Sequence, residues 1–472
     1  MTRALLLFSY LCLLFSSSFA GHPGLDPFTA NVKDFGAKGD GITEDQAAFK
    51  AALVWLGSRG GGQLYVPAGT YILAKEIRRA GAALEIQNAS NLEIYGDGPD
   101  VTILKLKPGQ DYQHMGDTHV LRVANSQHVR LHDLTFDGSK TTFVAKNEQM
   151  HGLYLLNTGD VLVERVRFFQ LRGDGTYVIG ENGYTEDVTI RDCSFYDNGR
   201  SGIANQGGIR RISYLHNTFE LTSDQDIDLE PTGKRTGPAD ILIQGNWIMH
   251  STGALAVTLA GTNTSPAQRV SFLDNVITGG GLWLGKVQDV VVRGDTISTN
   301  SAKRALDITQ RAQHVQIKDN RLASAGKEVL HMANLGISDV AVVGNRIEQS
   351  TASNNGIYVE EVGNEIEISN NSIIGVPGRG GTNGIHIRNQ ETDGHVRSQY
   401  SITGNLVQNF SRGIAFTTHD IGTGFANVTI DNNTIQLNPD SKSGIYFETN
   451  RGPSDGHDFI TGLIVNGNTI LP

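Results

Sequence analysis

The chain has 472 residues, with 39 Lys and Arg against 49 Asp and Glu and a formal net charge of -10. This acidic balance excludes a general nucleic-acid-binding protein, because such a protein needs a basic stripe on its surface. It does not exclude an anionic substrate, for which a local basic patch suffices. Cys12 and Cys193 are the only cysteines, so a scaffold held by several disulfides is also excluded.

Residues 1–20 are typical of a secretory signal peptide. Arg3 precedes the apolar run Ala4 to Phe15, and small residues lead to Ala20. The run is too short to span a membrane comfortably. We therefore predict cleavage near Ala20, a secreted protein without stable membrane insertion, and a linker over residues 21–30.

Residues 31–90 are predicted to form an N-terminal cap and the first coils of a repeat. Thr43 and Gln46 have the spacing of a capping box, and an Ala-rich amphipathic stretch follows from Ala47. A strand over residues 63–66 lies between glycines and a proline. A short helix over the first coil would cover strand edges that otherwise invite aggregation.

Residues 91–472 are dominated by a repeated frame, apolar-x-apolar-x-x-Asn-x-apolar. It occupies Ile212 to Phe219, Ile241 to Ile248 and Val270 to Ile277. It recurs around the later asparagines, with Asp295 taking the place of Asn once: Asn320, Asn345, Asn371, Asn405, Asn433 and Asn468. A period of about 20–50 residues indicates stacked units, and strands of period 2 indicate a parallel β-helix.

The Asn position of this frame is predicted to point inward. In the earlier coils Leu134, Val166 and Cys193 occupy it, which is typical of a core position. A buried amide is costly unless it is fully hydrogen-bonded. We therefore expect one continuous ladder, in which the following side chains stack inward in successive coils: Asn217, Asn246, Asn275, Asn320 and Asn345.

The N-terminal segment resembles a known signature. It reads Val32-x-Asp34-Phe35-Gly36-Ala37-x-Gly39-Asp40-Gly41-x-Thr43-x-Asp45. This is similar to the opening of the pectin-lyase-like right-handed parallel β-helix superfamily, which includes polygalacturonases, pectate-lyase-like proteins, mannuronan epimerases and phage tailspikes. With the coil frame, the resemblance covers residues 31–472. It implies an all-β protein, a single right-handed parallel β-helix with an N-terminal capping helix, but no particular reaction.

The last strand of most coils begins with Gly and carries one outward residue between two apolar ones. We call these residues the outward column: Tyr154, Tyr177, Ala204, Asp228, Trp283, Asp307, His331, Tyr358, His386, Ala415 and Tyr446. Aromatic rings stack on sugars and carboxylates bond to hydroxyls, so the column suits an extended polysaccharide. The predicted substrate-binding residues are His151, Tyr154, Tyr177, Trp283, Asp307, His331, Tyr358, His386 and Arg388. The alternative is an ordinary mixed surface strand.

The densest chemical signal is a run of acids at period 2: Asp224, Asp226, Asp228 and Glu230. Such spacing predicts that the acids share one outward face of a strand, while Ile227 and Leu229 face the core. Repulsion between like charges raises the pKa of one acid and leaves another low, which suits general acid and base catalysis. A Ca2+ site and a solvated acidic strand are the alternatives.

Asp174 precedes the equivalent strand two coils earlier. Two coils correspond to about 9.6 Å along the axis, near the carboxyl separation of inverting glycoside hydrolases. We therefore predict a glycosidase with catalytic Asp174, Asp226, Asp228 and Glu230, and with Asp228 as the central residue.

Two other functions remain open from the sequence. The polygalacturonase motifs Asn-Thr-Asp, Asp-Asp, Gly-His-Gly and Arg-x-Lys do not occur in successive coils, so pectin hydrolysis itself is not indicated. A polysaccharide lyase or uronate C5-epimerase is the first alternative, and a non-catalytic glycan-binding β-helix is the second. No cofactor is expected to be required, although Ca2+ is possible.

Overall fold

The computed structural model describes residues 28–471 except 75–80, 110–117, 141–148, 231–236, 251–254, 301–302, 335, 352, 378–382, 390–395, 419–423, 440, 442, 450–451, 455 and 457–458. The predicted signal peptide and residues 21–27 of the predicted linker lie outside this part. Among the described residues, no helix is long and apolar enough to cross a membrane.

The described strands form a right-handed parallel β-helix of about 13 turns. Three sheets run along the helix, and one apolar core from Ala30 to Ile460 lies between them. Among the described strands, all pairings are parallel except that of Ser443–Thr449 with Gly452–Ser454. The predicted all-β, right-handed parallel β-helix is confirmed.

The first sheet contains the strands that precede the Asn position. Its strands are Thr29–Asn31, Gly62–Val66, Ser90–Gly96, Gln127–Asp137, Gly159–Phe169, Ala239–Gln244, Ala267–Leu273, Ile337–Val343, Asn364–Ser369, Arg397–Thr403, Phe425–Asp431, Ile460–Thr461 and Ile464–Asn466. Gln127–Asp137 and Gly159–Phe169 continue around a corner into the second sheet.

The second sheet contains the strands that follow the Asn position. They are Asp40–Glu44, Gly69–Leu73, Thr102–Leu106, Ser194–Tyr196, Thr218–Glu220, Trp247–Met249, Val276–Gly279, Thr296–Thr299, Arg321–Ser324, Arg346–Gln349, Ser372–Ile374, Leu406–Phe410, Thr434–Leu437 and Thr469–Leu471.

The third sheet carries the outward column. Its strands are Gly81–Gln87, Thr118–Ala124, Leu153–Leu156, Ile227–Leu229, Val257–Ala260, Leu330–Ala333, Ile357–Glu360, Asn383–Asn389, Arg412–Thr418, Ser443–Thr449 and Gly452–Ser454. Four long strands begin in this sheet and end in the first: Thr176–Arg191, Ile203–Leu215, Leu282–Arg293 and Leu306–Lys318.

The N-terminal segment contains a 3-10 helix, Val32–Phe35, and an α-helix, Gln46–Gly57. Phe49 and Leu56 bury one face of the α-helix in the core. The predicted capping box is wrong, because Asp45 is the N-cap residue and its side chain makes no capping bond. Its carboxylate instead accepts hydrogen bonds from the backbone nitrogens of Lys38 and Gly39, at 2.6 and 3.1 Å. That the α-helix closes the end of the β-helix stays a prediction.

The predicted Asn ladder is confirmed. Asn217 donates from its backbone and side-chain nitrogens to Oδ1 of Asn246, at 2.9 and 3.1 Å. The same pair of hydrogen bonds joins Asn246 to Asn275. The series continues through Asp295, Asn320, Asn345, Asn371, Asn405 and Asn433 to Asn468. The second side-chain hydrogen of each amide bonds to a strand carbonyl, such as Ile190 O for Asn217, so each buried amide is satisfied.

Candidate active site

The third sheet places the outward column in register. Tyr177 pairs with Ala204, Ala204 with Asp228, Asp228 with Thr258, and Thr258 with Trp283. The pairing then continues through Asp307, His331, Tyr358, His386, Ala415 and Tyr446. The predicted order is confirmed. Thr258 is an additional member that sequence reasoning missed.

A cleft of about 610 Å³ opens over the middle of the column. It is lined by Arg200, Asp224, Gln225, Asp228, Glu230, Leu255, Thr258, Ala260, Gly261, Trp283, Lys286 and Gln310. The wall therefore combines three carboxyl groups, two basic side chains and one indole. This is the composition of a site that binds a polar chain and transfers protons.

Asp228 lies on the floor of this cleft and is 5% exposed. Burial, together with the charges of Glu230, Asp174 and Asp224, raises the pKa of Asp228 to about 7, while Arg200 opposes the shift. The cause of the shift is mainly desolvation of the charged form, with repulsion second. Asp228 can therefore hold a proton near neutral pH, whereas Glu230 is exposed in the same cleft.

The prediction that Asp226 faces the cleft is wrong. Its side chain is fully buried, accepts a hydrogen bond from Thr222 and lies 2.8 Å from Nδ1 of His250. The strand here is only Ile227–Leu229, so alternation does not extend back to residue 226. Burial raises the pKa of Asp226, and the contact with His250 opposes that shift.

Asp174 is also fully buried, which corrects its predicted position in the cleft. Its Oδ1 accepts from the backbone nitrogen of Ser201 at 2.9 Å, and its Oδ2 lies 3.0 Å from Nδ1 of His151. Arg200 reaches it at 3.7 Å. Because Asp174 is buried and does not line the cleft, it acts on Asp228 through its charge rather than through contact with a substrate. Arg200, which contacts Asp174, lines the cleft itself.

The upstream part of the column uses its rings for packing. His151 is fully buried, and its ring stacks on Tyr177 with centroids 4.7 Å apart. The Tyr154 ring lies 5.3 Å from Tyr177 and 4.5 Å from His119. The prediction that His151 binds substrate is therefore wrong, because its polar atoms cannot reach solvent. Tyr154 and Tyr177 are half-buried and lie outside the wall of the cleft.

The downstream part of the column forms a separate cluster. Nδ1 of His331 lies 2.7 Å from Asp307, and Arg388 donates to the hydroxyl of Tyr358 at 2.8 Å. Tyr358 stacks on His331 and on His386 with centroids 5.5 and 5.1 Å apart. Burial lowers the pKa of His386 to about 4. These five residues are brought together as predicted, but they do not line the cleft.

Arg200 and Lys286 are the functional candidates that sequence reasoning missed. Arg200 lies in the turn before Ile203–Leu215, so no strand alternation indicates where it points. Lys286 has a left-handed backbone, with φ of 55°, where the strand Leu282–Arg293 turns from the third sheet to the first. Among the described residues, no group of three or more His, Cys, Asp or Glu side chains could hold a metal ion.

Comparison with family models matches two consecutive parts of the chain. Residues 29–118 match the model "Rhamnogalacturonase A/epimerase, pectate lyase-like". Residues 119–281 match "Right handed beta helix region".

Two curated relatives come from Azotobacter vinelandii. Alginate lyase 7 is 34% identical over 212 residues, which is 42% of this chain and 24% of the relative. The mannuronan C5-epimerase AlgE2 is 32% identical over 211 residues, 42% of this chain and 21% of the relative. The matched part of the chain thus spans about a quarter of the length of these relatives or less.

Solved structures share the fold at low identity. The A-module of the Azotobacter vinelandii mannuronan C5-epimerase AlgE6 superposes with a TM-score of 0.60 and 18% identity, over 94% of this chain and 99% of that one. The tailspike protein of E. coli bacteriophage HK620, solved with a pentasaccharide, gives a TM-score of 0.63 and 16% identity over 93% and 80%. The family models thus identify a pectate-lyase-like domain over residues 29–118 and a right-handed β-helix region over residues 119–281, and the solved structures share this fold.

Proposed function

We propose that this protein hydrolyses glycosidic bonds of a polysaccharide in the cleft over Asp228. The observation that carries the proposal is the state of Asp228, a nearly buried carboxyl group with a pKa of about 7 on the floor of an open cleft. A general acid works best when its pKa lies near the working pH. The relatives named for alginate and mannuronan, and the tailspike solved with a pentasaccharide, support the substrate class.

In this reaction Asp228 donates its proton to the oxygen of the leaving sugar. Glu230, exposed in the same cleft, is the proposed base that activates a water molecule. Arg200 and Asp174 set the charge around Asp228 without touching the bond that breaks. Asp226 is proposed to be structural, since His250 and Thr222 hold its carboxyl group inside the coil.

A uronate lyase or C5-epimerase is the second candidate. It is favoured by Arg200 and Lys286 in the same cleft, because both reactions need a cation to neutralise the uronate carboxylate while a base removes the proton at C5. It is also favoured by the relatives named alginate lyase and mannuronan C5-epimerase.

Product analysis separates these candidates. The protein is incubated with mannuronan, polygalacturonan and α-1,3-glucan. Hydrolysis releases reducing ends without ultraviolet absorption, a lyase forms unsaturated ends that absorb, and an epimerase incorporates solvent deuterium at C5 without cleavage. The hydrolase proposal fails if cleavage always gives absorbing ends. The enzyme proposal fails if no polymer changes while the protein still binds one of them, which would favour a glycan-binding β-helix.

Neither a cofactor nor a metal is needed in the proposed hydrolysis, and a requirement for Ca2+ is the alternative. Activity measured with EDTA and again after addition of Ca2+ distinguishes the two. We also propose that the protein is secreted, on the basis of residues 1–20. Mature protein recovered from the culture medium should begin close to Gly21, and an intact Met1 in a membrane fraction would refute this.

A further inference from the structure

Trp283 differs from Tyr177 and Tyr358, two other aromatic residues of the outward column. Tyr177 stacks on His151 and lies against the tilted ring of Tyr154, and Tyr358 stacks on His331 and His386, so their rings are covered by neighbouring coils. In the described part of the chain, no other aromatic ring stacks on Trp283. Its side chain is half-buried and lines the cleft that contains Asp228.

The indole of Trp283 is held in one orientation. Its Nε1 donates to Oγ1 of Thr309 at 2.7 Å. A Cβ atom at Gly285 would lie 2.5 and 2.6 Å from the Cζ2 and Cη2 atoms of the indole. The ring therefore lies against the bare backbone of Gly285, and any larger residue there would push it away. The indole is thus fixed before a ligand arrives, which lowers the entropic cost of binding.

The position of the ring suits a sugar bound beside the reacting one. Asp228, Thr258 and Trp283 occupy three successive coils, so Trp283 lies about 9.6 Å from Asp228 along the axis. Lys286 and Gln310 line the same part of the cleft and can bond to hydroxyl or carboxylate groups. We propose that Trp283 is a stacking platform for one pyranose ring of the polysaccharide, kept in place by Gly285 and Thr309. This assignment rests on the proposed function and adds a subsite to it.

Binding measured by calorimetry in an Asp228→Asn background tests the platform without turnover. The probes are oligosaccharides of mannuronan, polygalacturonan and α-1,3-glucan, each in a series of increasing length. Trp283→Ala is expected to weaken binding of the best probe about tenfold, as for an aromatic anchor. Gly285→Ala should approach the same loss, and Trp283→Phe should recover part of the affinity. The matched control is Trp247→Ala, which removes a half-exposed indole from the second sheet.

The length series distinguishes sugar stacking on Trp283 from a merely structural role of this residue. Oligosaccharides too short to reach from Asp228 to Trp283 should bind equally to the Trp283→Ala and parent proteins. The proposal is wrong if no probe binds while Trp283 is intact, or if Trp283→Ala and Trp247→Ala have equal effects. Turnover without dependence on Trp283 would refute the platform and leave the hydrolase. Binding that depends on Trp283, without turnover by the wild-type protein, would refute the hydrolase and leave the platform.

Discussion

Asn275 donates two hydrogen bonds to one carboxyl oxygen of Asp295, at 2.7 Å from its backbone nitrogen and 3.0 Å from its side chain. The other oxygen of Asp295 is buried and has no hydrogen-bond partner among the described residues. In the other rungs an amide nitrogen at this place donates to the next rung, which here is Asn320. A carboxyl group can make that bond only when it is protonated. Burial indeed raises the pKa of Asp295 to about 8.

Asp295→Asn is expected to stabilise the protein most at alkaline pH. Because the folded-state pKa is raised from 3.8 to about 8, the contribution of protonated Asp295 is fully present below about pH 4 and is lost as the pH rises towards 8. The Asn variant avoids this loss, so its free energy of unfolding should exceed that of wild type by a few kcal/mol at about pH 8. Urea unfolding across this pH range measures the gap, with exposed Asp289→Asn as the control. A gap that does not widen with pH would contradict the assignment.

Asn345→Ala should destabilise the fold. The substitution removes the oxygen that accepts two bonds from Asn320 and the nitrogen that bonds to Ile317 O. Leaving such buried groups unpaired costs about 1–3 kcal/mol each. Chemical denaturation should therefore show a lower midpoint, whereas Ala at the exposed Asn300 should leave it unchanged. Equal midpoints for the two variants would mean that the ladder adds little to stability.

Asp228→Asn and Asp226→Asn should separate catalysis from folding. Asp228→Asn is expected to lower kcat by about 10²–10⁴-fold with no loss of stability, since it removes a carboxyl group that burial and repulsion disfavour in its charged form. Asp226→Asn should lower stability, because it weakens the buried contact with His250. Initial rates and thermal unfolding of both variants are compared. Full activity of the Asp228→Asn protein on its substrate would refute the assignment.

The pH dependence of activity should report Asp228. If this group donates the proton, kcat falls as the pH rises through about 7, where Asp228 loses it. Arg200 lowers the pKa of Asp228, so Arg200→Gln should move the alkaline limb of the profile to higher pH. A limb that stays in place in the variant would indicate that another group controls it. Lys286→Gln, which removes a positive charge from the same cleft, is the matched control.

The sequence predicts the fold well because each coil repeats the same constraints. The frame around Asn217 and Asn246 sets which residues face inward, and the register of Tyr177, Ala204 and Asp228 follows from it. The cleft is less predictable because it depends on the ends of strands. Asp226 precedes a strand of three residues, so alternation assigns it to the wrong side. Arg200 comes from a turn, and the burial of Asp174 depends on that turn folding over it.

The ladder allows a β-helix of this kind to gain or lose whole coils. Each rung requires only that the next coil offers one side-chain oxygen at the same place, so a whole coil can be duplicated or deleted without altering the cross-section. An insertion of one residue within a rung would instead break the series. The cleft is not modular in this way, since Arg200, Asp228, Thr258 and Trp283 come from four successive coils. Gain or loss of coils is therefore compatible with the same chemistry only outside residues 174–310.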